Sequence, residues 1–258
     1  MPDAKIIIPA RYASSRFPGK PLAELEGHTV IARVVRAALQ TRAALPIYVA
    51  TDDARIALAV ETQFDPSEAK VIMTSENCHT GTDRLAQAVQ TLSLPLNARQ
   101  IIVNVQGDEP FLNPIHVDAL LDLMDSQSDL QMATLATPLQ NEAQFHDPNT
   151  VKAVVSQQSR ALYFSRAPIP FDRDQTATVK PLRHLGIYAY ESNWLLQMAA
   201  LPPSPLEESE KLEQLRALDA GVAIGVAIVE NVVPIAIDTP ADLERAQAYL
   251  RADPQQSL

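Results

Sequence analysis

With 258 residues and 47% hydrophobic content, the chain has enough apolar material for one α/β domain of ordinary size, or for one domain with a small appended lobe. A net charge of -10 argues against nucleic acid or an anionic membrane as a partner, since both select for basic surfaces, so an anionic ligand has to be met by locally clustered Arg and Lys. One cysteine, Cys78, excludes an intramolecular disulfide and leaves no Cys-rich metal motif; no apolar run approaches ~20 residues, and the opening residues move directly into a strand pattern, so the expectation is a soluble, cytoplasmic protein.

Ile6 to Ile8 followed by Pro9 fit a short strand covered on both faces. The strand empties into a loop of small residues, Ala13, Ser14 and Ser15, that also carries Arg11, Arg16 and Lys20. Three cations so close together repel one another unless an anion sits between them, so the loop reads as a polyphosphate site. It is not a Walker loop: no glycine stands five residues before Gly19, and Pro21 takes the place of the magnesium-binding Ser or Thr. Thr29 then caps a helix with Val30, Ile31, Val34, Val35, Ala38 and Leu39 on one stripe and Arg33, Arg36 and Gln40 outside it. A strand over Pro46 to Ala50 and a helix opened by Thr51-Asp52-Asp53 complete the alternation that gives a parallel sheet.

Val71 to Met73 reads as the third strand, and the polar loop Thr74 to Asp83 leads to a helix over Leu85 to Leu92. Thr80-Gly81-Thr82-Asp83-Arg84 fits either an anion or base-edge site at a helix N-terminus or an ordinary cap. Ile101 to Val105 is the next buried strand, running into Gln106-Gly107-Asp108-Glu109-Pro110, and Asn113-Pro114 open a helix with Val117, Leu120, Leu121 and Met124 inward. Ligands of open α/β sheets bind at the carboxyl ends of strands, where Asp108 is a natural magnesium ligand; Glu109 fits a turn carboxylate equally well.

Further on, Met132 to Thr137, Val151 to Val155, Leu162 to Ser165 and Arg183 to Tyr190 are strand-like, with an irregular segment between Arg166 and Arg183 that suits a flap or an oligomer contact. Pro205 introduces a helix over Leu206 to Leu218 with Leu212, Leu215 and Leu218 inward and Glu207, Glu210 and Gln214 on a neighbouring polar face. Apolar Pro234 to Ile237 delivers Asp238, a second strand-end aspartate, before Thr239 caps the terminal helix. The last residues, Asp253 to Leu258, read as frayed.

A cationic loop, two distant strand-end aspartates and a downstream set of Arg and His describe metal-assisted phosphoryl or nucleotidyl transfer. No Ser-His-Asp or Cys-His nucleophile pattern and no dinucleotide GxGxxG competes. A glycosyltransferase would carry an Asp-x-Asp pair after a strand, whereas Asp172-Arg173-Asp174 lies in the irregular segment. A non-catalytic nucleotide-binding regulator is disfavoured because Lys20, Asp108 and Asp238 are all present.

PARYASSRFPGKPL, TGTDR, NVQGDEPF, ALYFSRAPIPFDRD, RHLGIYAY, SPLEESEKLEQLRAL and IDTPADLERA, in this order, closely resemble the 3-deoxy-manno-octulosonate (Kdo) cytidylyltransferases, the CMP-Kdo synthetases of lipopolysaccharide synthesis. The resemblance spans nearly the whole chain. It implies a Rossmann-like nucleotidyltransferase fold, α/β with a mostly parallel sheet flanked by helices, in a single domain over 1–258 with an inserted dimerisation lobe at about 140–190. It further implies magnesium dependence, a homodimer, and conversion of CTP and Kdo to CMP-Kdo and pyrophosphate. By the same resemblance Arg11, Ser14 and Lys20 contact the CTP phosphates, the Thr74 to Arg84 loop recognises cytosine, Gln106 joins the CTP site, and Asp108 and Asp238 hold magnesium. Gln106, Arg166, His184, Tyr188, Glu210 and Gln214 surround Kdo, and Arg11, Lys20 and Asp108 carry the catalysis. Asp83 and Thr80 stand where Glu and Ser are commoner in the family, both conservative changes, and related enzymes use 8-amino-Kdo or sialic acids.

Overall fold

The computed structural model describes residues 3–42, 44–78, 80–94, 99–174, 176, 178–233 and 235–252. The chain divides into two compact units, Asp3–Asp118 with the segment from Val233 onward, and Ala119–Val232.

The first unit starts with β1 (Asp3–Ala10), a short 3-10 turn (Lys20–Leu22) and the two-residue strands β2 (Glu24–Leu25) and β3 (His28–Thr29). There follow α1 (Val30–Leu39), β4 (Ile47–Thr51), α2 (Ala54–Glu61), β5 (Ala69–Met73), α3 (Gly81–Thr91), β6 (Gln100–Asn104) and the start of α4 (Pro114–Ser126), which from Ala119 on belongs to the second unit. The strands pair in parallel in the order β6-β1-β4-β5, with Ile6 opposite Val103 on one side and Ile47 on the other. Ile6, Ile7 and Ile8 have no exposed surface, as expected of a parallel strand covered on both faces. Thr29 caps α1 by accepting from the Ala32 N–H, and Val30, Ile31, Val34, Val35 and Ala38 are buried as the periodicity requires. Arg33 departs from the expected outer face: it is buried, with Nε donating to the Leu25 carbonyl at 2.7 Å and Nη2 to that of Glu26 at 3.2 Å. Its guanidinium satisfies carbonyls of the β2–β3 turn, an option that helical periodicity does not register.

The second unit contains β7 (Met132–Pro138), α5 (Glu142–His146), β8 (Lys152–Val155), β9 (Ala161–Ser165), β10 (Leu182–Glu191), α6 (Ser192–Ala200), α7 (Pro205–Glu210), α8 (Gln214–Asp219) and β11 (Ile224–Ile228). β10 runs antiparallel to β7 and, at its start, to β8; β8 is antiparallel to β9, and β11 lies parallel to β7. β8 and β9 fall on two of the segments that read as strand-like in the sequence, whereas α5, α6 and β11 have no counterpart in that reading. The register of β10 on β7 slips between Leu185 and Tyr188. Thr134 Oγ1 lies 3.0 and 2.9 Å from the Leu185 and Ile187 carbonyl oxygens at this bulge.

The helix expected over Leu206 to Leu218 is two helices, because Lys211 takes a left-handed backbone with φ of 54°. Glu207, Glu210 and Gln214 therefore do not share one face. Glu207 is buried and forms a two-point pair with Arg216, at 2.7 Å to Nε and 2.5 Å to Nη2, which ties α7 to α8. The helix expected from Leu85 begins four residues earlier at Gly81, because Thr80 and Asp83 form a reciprocal capping box.

The chain closes with α9 (Pro240–Ala252). The segment 235–239 is irregular rather than a strand, and Pro234 and Asp253 to Leu258 lie outside the described residues. Ile237 is fully buried with Leu25, Val30, Ala246 and Leu250, and Phe17 and Phe111 pack against the cluster. Arg216→Met would strand the Glu207 carboxylate in a buried site, and we expect a loss of about 3–5 kcal/mol in the unfolding free energy measured by urea denaturation.

Candidate functional site

The loops after β1, β4, β5 and β6 leave the carboxyl end of the first unit's sheet, and there a cleft of about 240 Å³ is lined by Arg11, Lys20, Cys78, Gly81, Arg84, Gln106, Asp108 and Asp238 among others. Two glycines shape it. Gly19 has φ of 75° and donates its N–H to the Tyr12 carbonyl at 2.8 Å, folding the cationic loop back before Lys20. A Cβ on Gly107 would stand 2.7 Å from the Pro9 carbonyl oxygen, so only glycine lets the turn after β6 run against the end of β1.

Two carboxylates meet at one ammonium. Lys20 Nζ donates to Asp108 Oδ2 and to Asp238 Oδ1, the latter at 3.0 Å, across sequence separations of 88 and 218 residues. The Ile237 N–H donates to the Asp108 carbonyl at 2.8 Å, which joins the two segments that carry the aspartates. Burial pulls the Lys20 pKa down, but the Asp108 and Asp238 charges outweigh it and the net direction is upward, so the side chain is an ammonium. Arg16 adds an exposed contact to Asp238 at 3.2 Å.

No group of three or more His, Cys, Asp or Glu suited to a metal occurs among the described residues. Asp108 and Asp238, two carboxylates that converge on one positive charge, are the donor set that would suit a magnesium ion bound with a phosphate ligand. Arg11 reaches the cleft exposed and makes no hydrogen bond or ion pair to another described residue.

Ser14, Thr74 and Arg84 are placed less directly. Ser14 Oγ accepts from the Phe17 N–H at 3.4 Å and is not part of the lining. Thr74 is buried, held by its N–H to the Thr51 carbonyl at 2.8 Å, and its hydroxyl accepts from Arg84. Arg84 borders the cleft but is only 3% exposed, with Nη2 on Asp52 at 2.7 Å. It therefore braces the loop after β5 against the loop after β4. Asp52 is a member of the site region that the sequence reading placed only at a helix start.

In the second unit, Glu210 Oε1 accepts from Ser165 Oγ at 2.5 Å and Oε2 from the Arg166 N–H at 2.9 Å. Arg166 Nε donates to the Glu210 carbonyl at 2.7 Å and Nη1 to that of Pro148 at 2.8 Å. His184 and Tyr188, set either side of the bulge, have ring centroids 5.5 Å apart. The proton of the Thr134 hydroxyl is engaged by carbonyls, so the Nε2–H tautomer of His184 donates to its oxygen at 3.0 Å. Burial, with Arg183 adding to it, lowers the His184 pKa to about 3, so the ring is neutral at physiological pH. Gln214 is 3% exposed and, among the described residues, its Nε2 has no hydrogen-bond partner, which leaves a buried donor for an acceptor to fill.

A family profile described as cytidylyltransferase matches residues 5–224. The chain is 46% identical over 253 residues to a 3-deoxy-manno-octulosonate cytidylyltransferase of Syntrophotalea carbinolica, covering 95% of this chain and 97% of the relative. It is 45% identical over 252 residues to an 8-amino-3,8-dideoxy-manno-octulosonate cytidylyltransferase of Shewanella pealeana, covering 97% and 100%. A solved structure of CMP:2-keto-3-deoxy-manno-octonic acid synthetase complexed with CTP matches with a TM-score of 0.89 at 41% identity, covering 97% of this chain and 99% of that one. The sheet and its cationic cleft define a nucleotidyltransferase. Within that class the chain belongs to the cytidylyltransferase family, among the 3-deoxy-manno-octulosonate cytidylyltransferases.

The His184 pKa is lower folded than unfolded, so below about 6.5 the unfolded chain takes up a proton that the folded one refuses. Stability linked to this ring is complete above that pH and is lost as pH falls towards about 3, at no more than ~1.4 kcal/mol per pH unit. His184→Gln should flatten that slope in urea denaturation at pH 7 and pH 5, while leaving the rest of the acid sensitivity in place.

Proposed function

We propose that the chain transfers CMP from CTP to the anomeric hydroxyl of Kdo, releasing pyrophosphate and supplying CMP-Kdo for lipopolysaccharide synthesis. The observation that carries this reading is the convergence of Lys20, Asp108 and Asp238 in a cleft that also presents Arg11, in a chain of this family. The anomeric oxygen attacks the α-phosphorus in line, the bond from that phosphorus to the bridging oxygen breaks, and pyrophosphate leaves while the hydroxyl proton goes to solvent. No protein nucleophile is required.

Arg11 and Lys20 bind the triphosphate and offset the charge that builds on its oxygens, and most of the rate enhancement in phosphoryl-type transfers comes from this electrostatic stabilisation. Asp108 and Asp238 would hold Mg2+, which when bound supplies charge neutralisation on the phosphates and a lowered pKa for the attacking hydroxyl. Ser14 and the Thr74–Arg84 loop shape the CTP side, with Asp52 keeping Arg84 in place. Arg166, His184, Tyr188, Glu210 and Gln214 receive the acid; the orphaned amide N–H of Gln214 and the neutral His184 suit a hydroxylated ligand. Phe171, Val179 and Leu162, 86%, 62% and 61% exposed, support a homodimer built from the 140–190 region, which sedimentation equilibrium at twice the chain mass would check. The enzyme works in the cytoplasm, where CTP is at hand, and cell fractionation tests that. No helix among the described residues is long and apolar enough to cross a membrane.

The decisive experiment is pyrophosphate release from CTP and magnesium with Kdo, 8-amino-Kdo and N-acetylneuraminate in parallel, each with and without chelator. Chelator-sensitive release with Kdo is expected, and release with another acid alone would replace the substrate. In the same assay Asp108→Asn should keep its thermal midpoint and lose most turnover. Lys20→Met should lower kcat/KM by about 100-fold, equivalent to ~2–3 kcal/mol of transition-state stabilisation. Wild-type rates in both variants would remove these residues from the mechanism.

A further inference from the structure

Lys152, the first residue of β8, has no exposed surface, yet among the described residues no carboxylate forms an ion pair with it. Its ammonium instead donates to two backbone carbonyls, Asp147 at 2.9 Å and Thr150 at 2.5 Å. A buried charge held only by carbonyls is costly, and an apolar side chain would fill the same space at less cost unless the carbonyls themselves need to be held. Those carbonyls belong to the 147–150 turn, which is also tied by the Asp147 carboxylate accepting from the Asn149 N–H at 2.9 Å and the Thr150 hydroxyl at 3.1 Å. Within this turn Pro148 offers the carbonyl that takes Arg166 Nη1 at 2.8 Å.

We propose that Lys152 is a positioning residue for the acid-binding set. It fixes the 147–150 turn, and the turn holds the Arg166 guanidinium against the Glu210 end of α7. The register of β8 supports this placement. Lys152 stands opposite Ser165 of β9 and Arg183 of β10, and the neighbouring Val151 carbonyl accepts from the His184 N–H at 2.8 Å, so one position reaches both strands that lead into Arg166 and His184. Burial lowers the Lys152 pKa and Asp147 acts against it; Arg166 lowers it further while Glu210 raises it, so the charges of the set are felt at Lys152.

The inference rests on the functional reading in which Arg166 serves the acid, and the test separates the two. Steady-state kinetics with CTP and Kdo would be run on the wild type, Lys152→Met, Thr150→Ala, Arg166→Ala and each of the first two combined with Arg166→Ala, together with thermal midpoints. Lys152→Met should raise KM for Kdo roughly fivefold or more with KM for CTP within about twofold, and Thr150→Ala should move KM for Kdo less but in the same direction. Both effects should shrink below about twofold in the Arg166→Ala background, because residues acting through one another are not additive. A lowered thermal midpoint with both KM values unchanged, or an undiminished effect without Arg166, overturns the positioning role. If Lys152→Met does not fold, Thr150→Ala alone decides by the same criteria. Should the wild type fail to use Kdo, or Arg166→Ala leave KM for Kdo unchanged, the functional reading falls and takes this role with it.

Discussion

Everything in the first unit's site depends on one cation being shared by two carboxylates that the chain delivers from far apart. Lys20 alone would be a solvated lysine on a loop, and Asp108 and Asp238 brought together alone would repel each other. With the ammonium between them the three stabilise one another, and the Lys20 pKa moves up despite burial. The Ile237 N–H on the Asp108 carbonyl and the burial of Ile237 in the cluster beneath α9 hold the two acidic segments in register. Gly107 allows the Asp108 turn to lie against β1, so a missing side chain is as necessary to the geometry as the charged ones.

The cleft also shows a division of labour among its arginines. Arg11 is left exposed and makes no hydrogen bond or ion pair to another described residue. Arg84 is its opposite, buried and bound to Asp52 and to the Thr74 hydroxyl, where it keeps two loops in place. In the second unit Arg166 behaves similarly, spending Nε and Nη1 on carbonyls of Glu210 and Pro148 and its backbone N–H on the Glu210 carboxylate. The planar guanidinium, with five donors in a fixed fork, meets several such partners at once.

In the second unit the bulge in β10 matters as much as any residue. By slipping the register between Leu185 and Tyr188 it sets the His184 and Tyr188 rings beside each other, and the Thr134 hydroxyl, placed at the slip, fixes the tautomer of His184. Gln214 Nε2, by contrast, is buried without a hydrogen-bond partner among the described residues.

The sequence by itself determined the parallel strands of the first unit, the cap and apolar stripe of α1, the cationic loop and the two candidate metal-binding aspartates. These are local matters of period, capping and charge density, and the motif order carried the family with them. Only the tertiary structure decided that Asp108 and Asp238 meet at Lys20, that Arg33 and Lys152 are buried on backbone carbonyls, and that Arg84 answers to Asp52. It also decided that the helix after Pro205 breaks at Lys211, where the left-handed backbone allows Glu207 to reach Arg216 and Glu210 to reach Ser165. The reason is physical: periodicity reports which face of a segment is apolar, whereas a buried charge takes its position from partners that arrive from other segments of the chain.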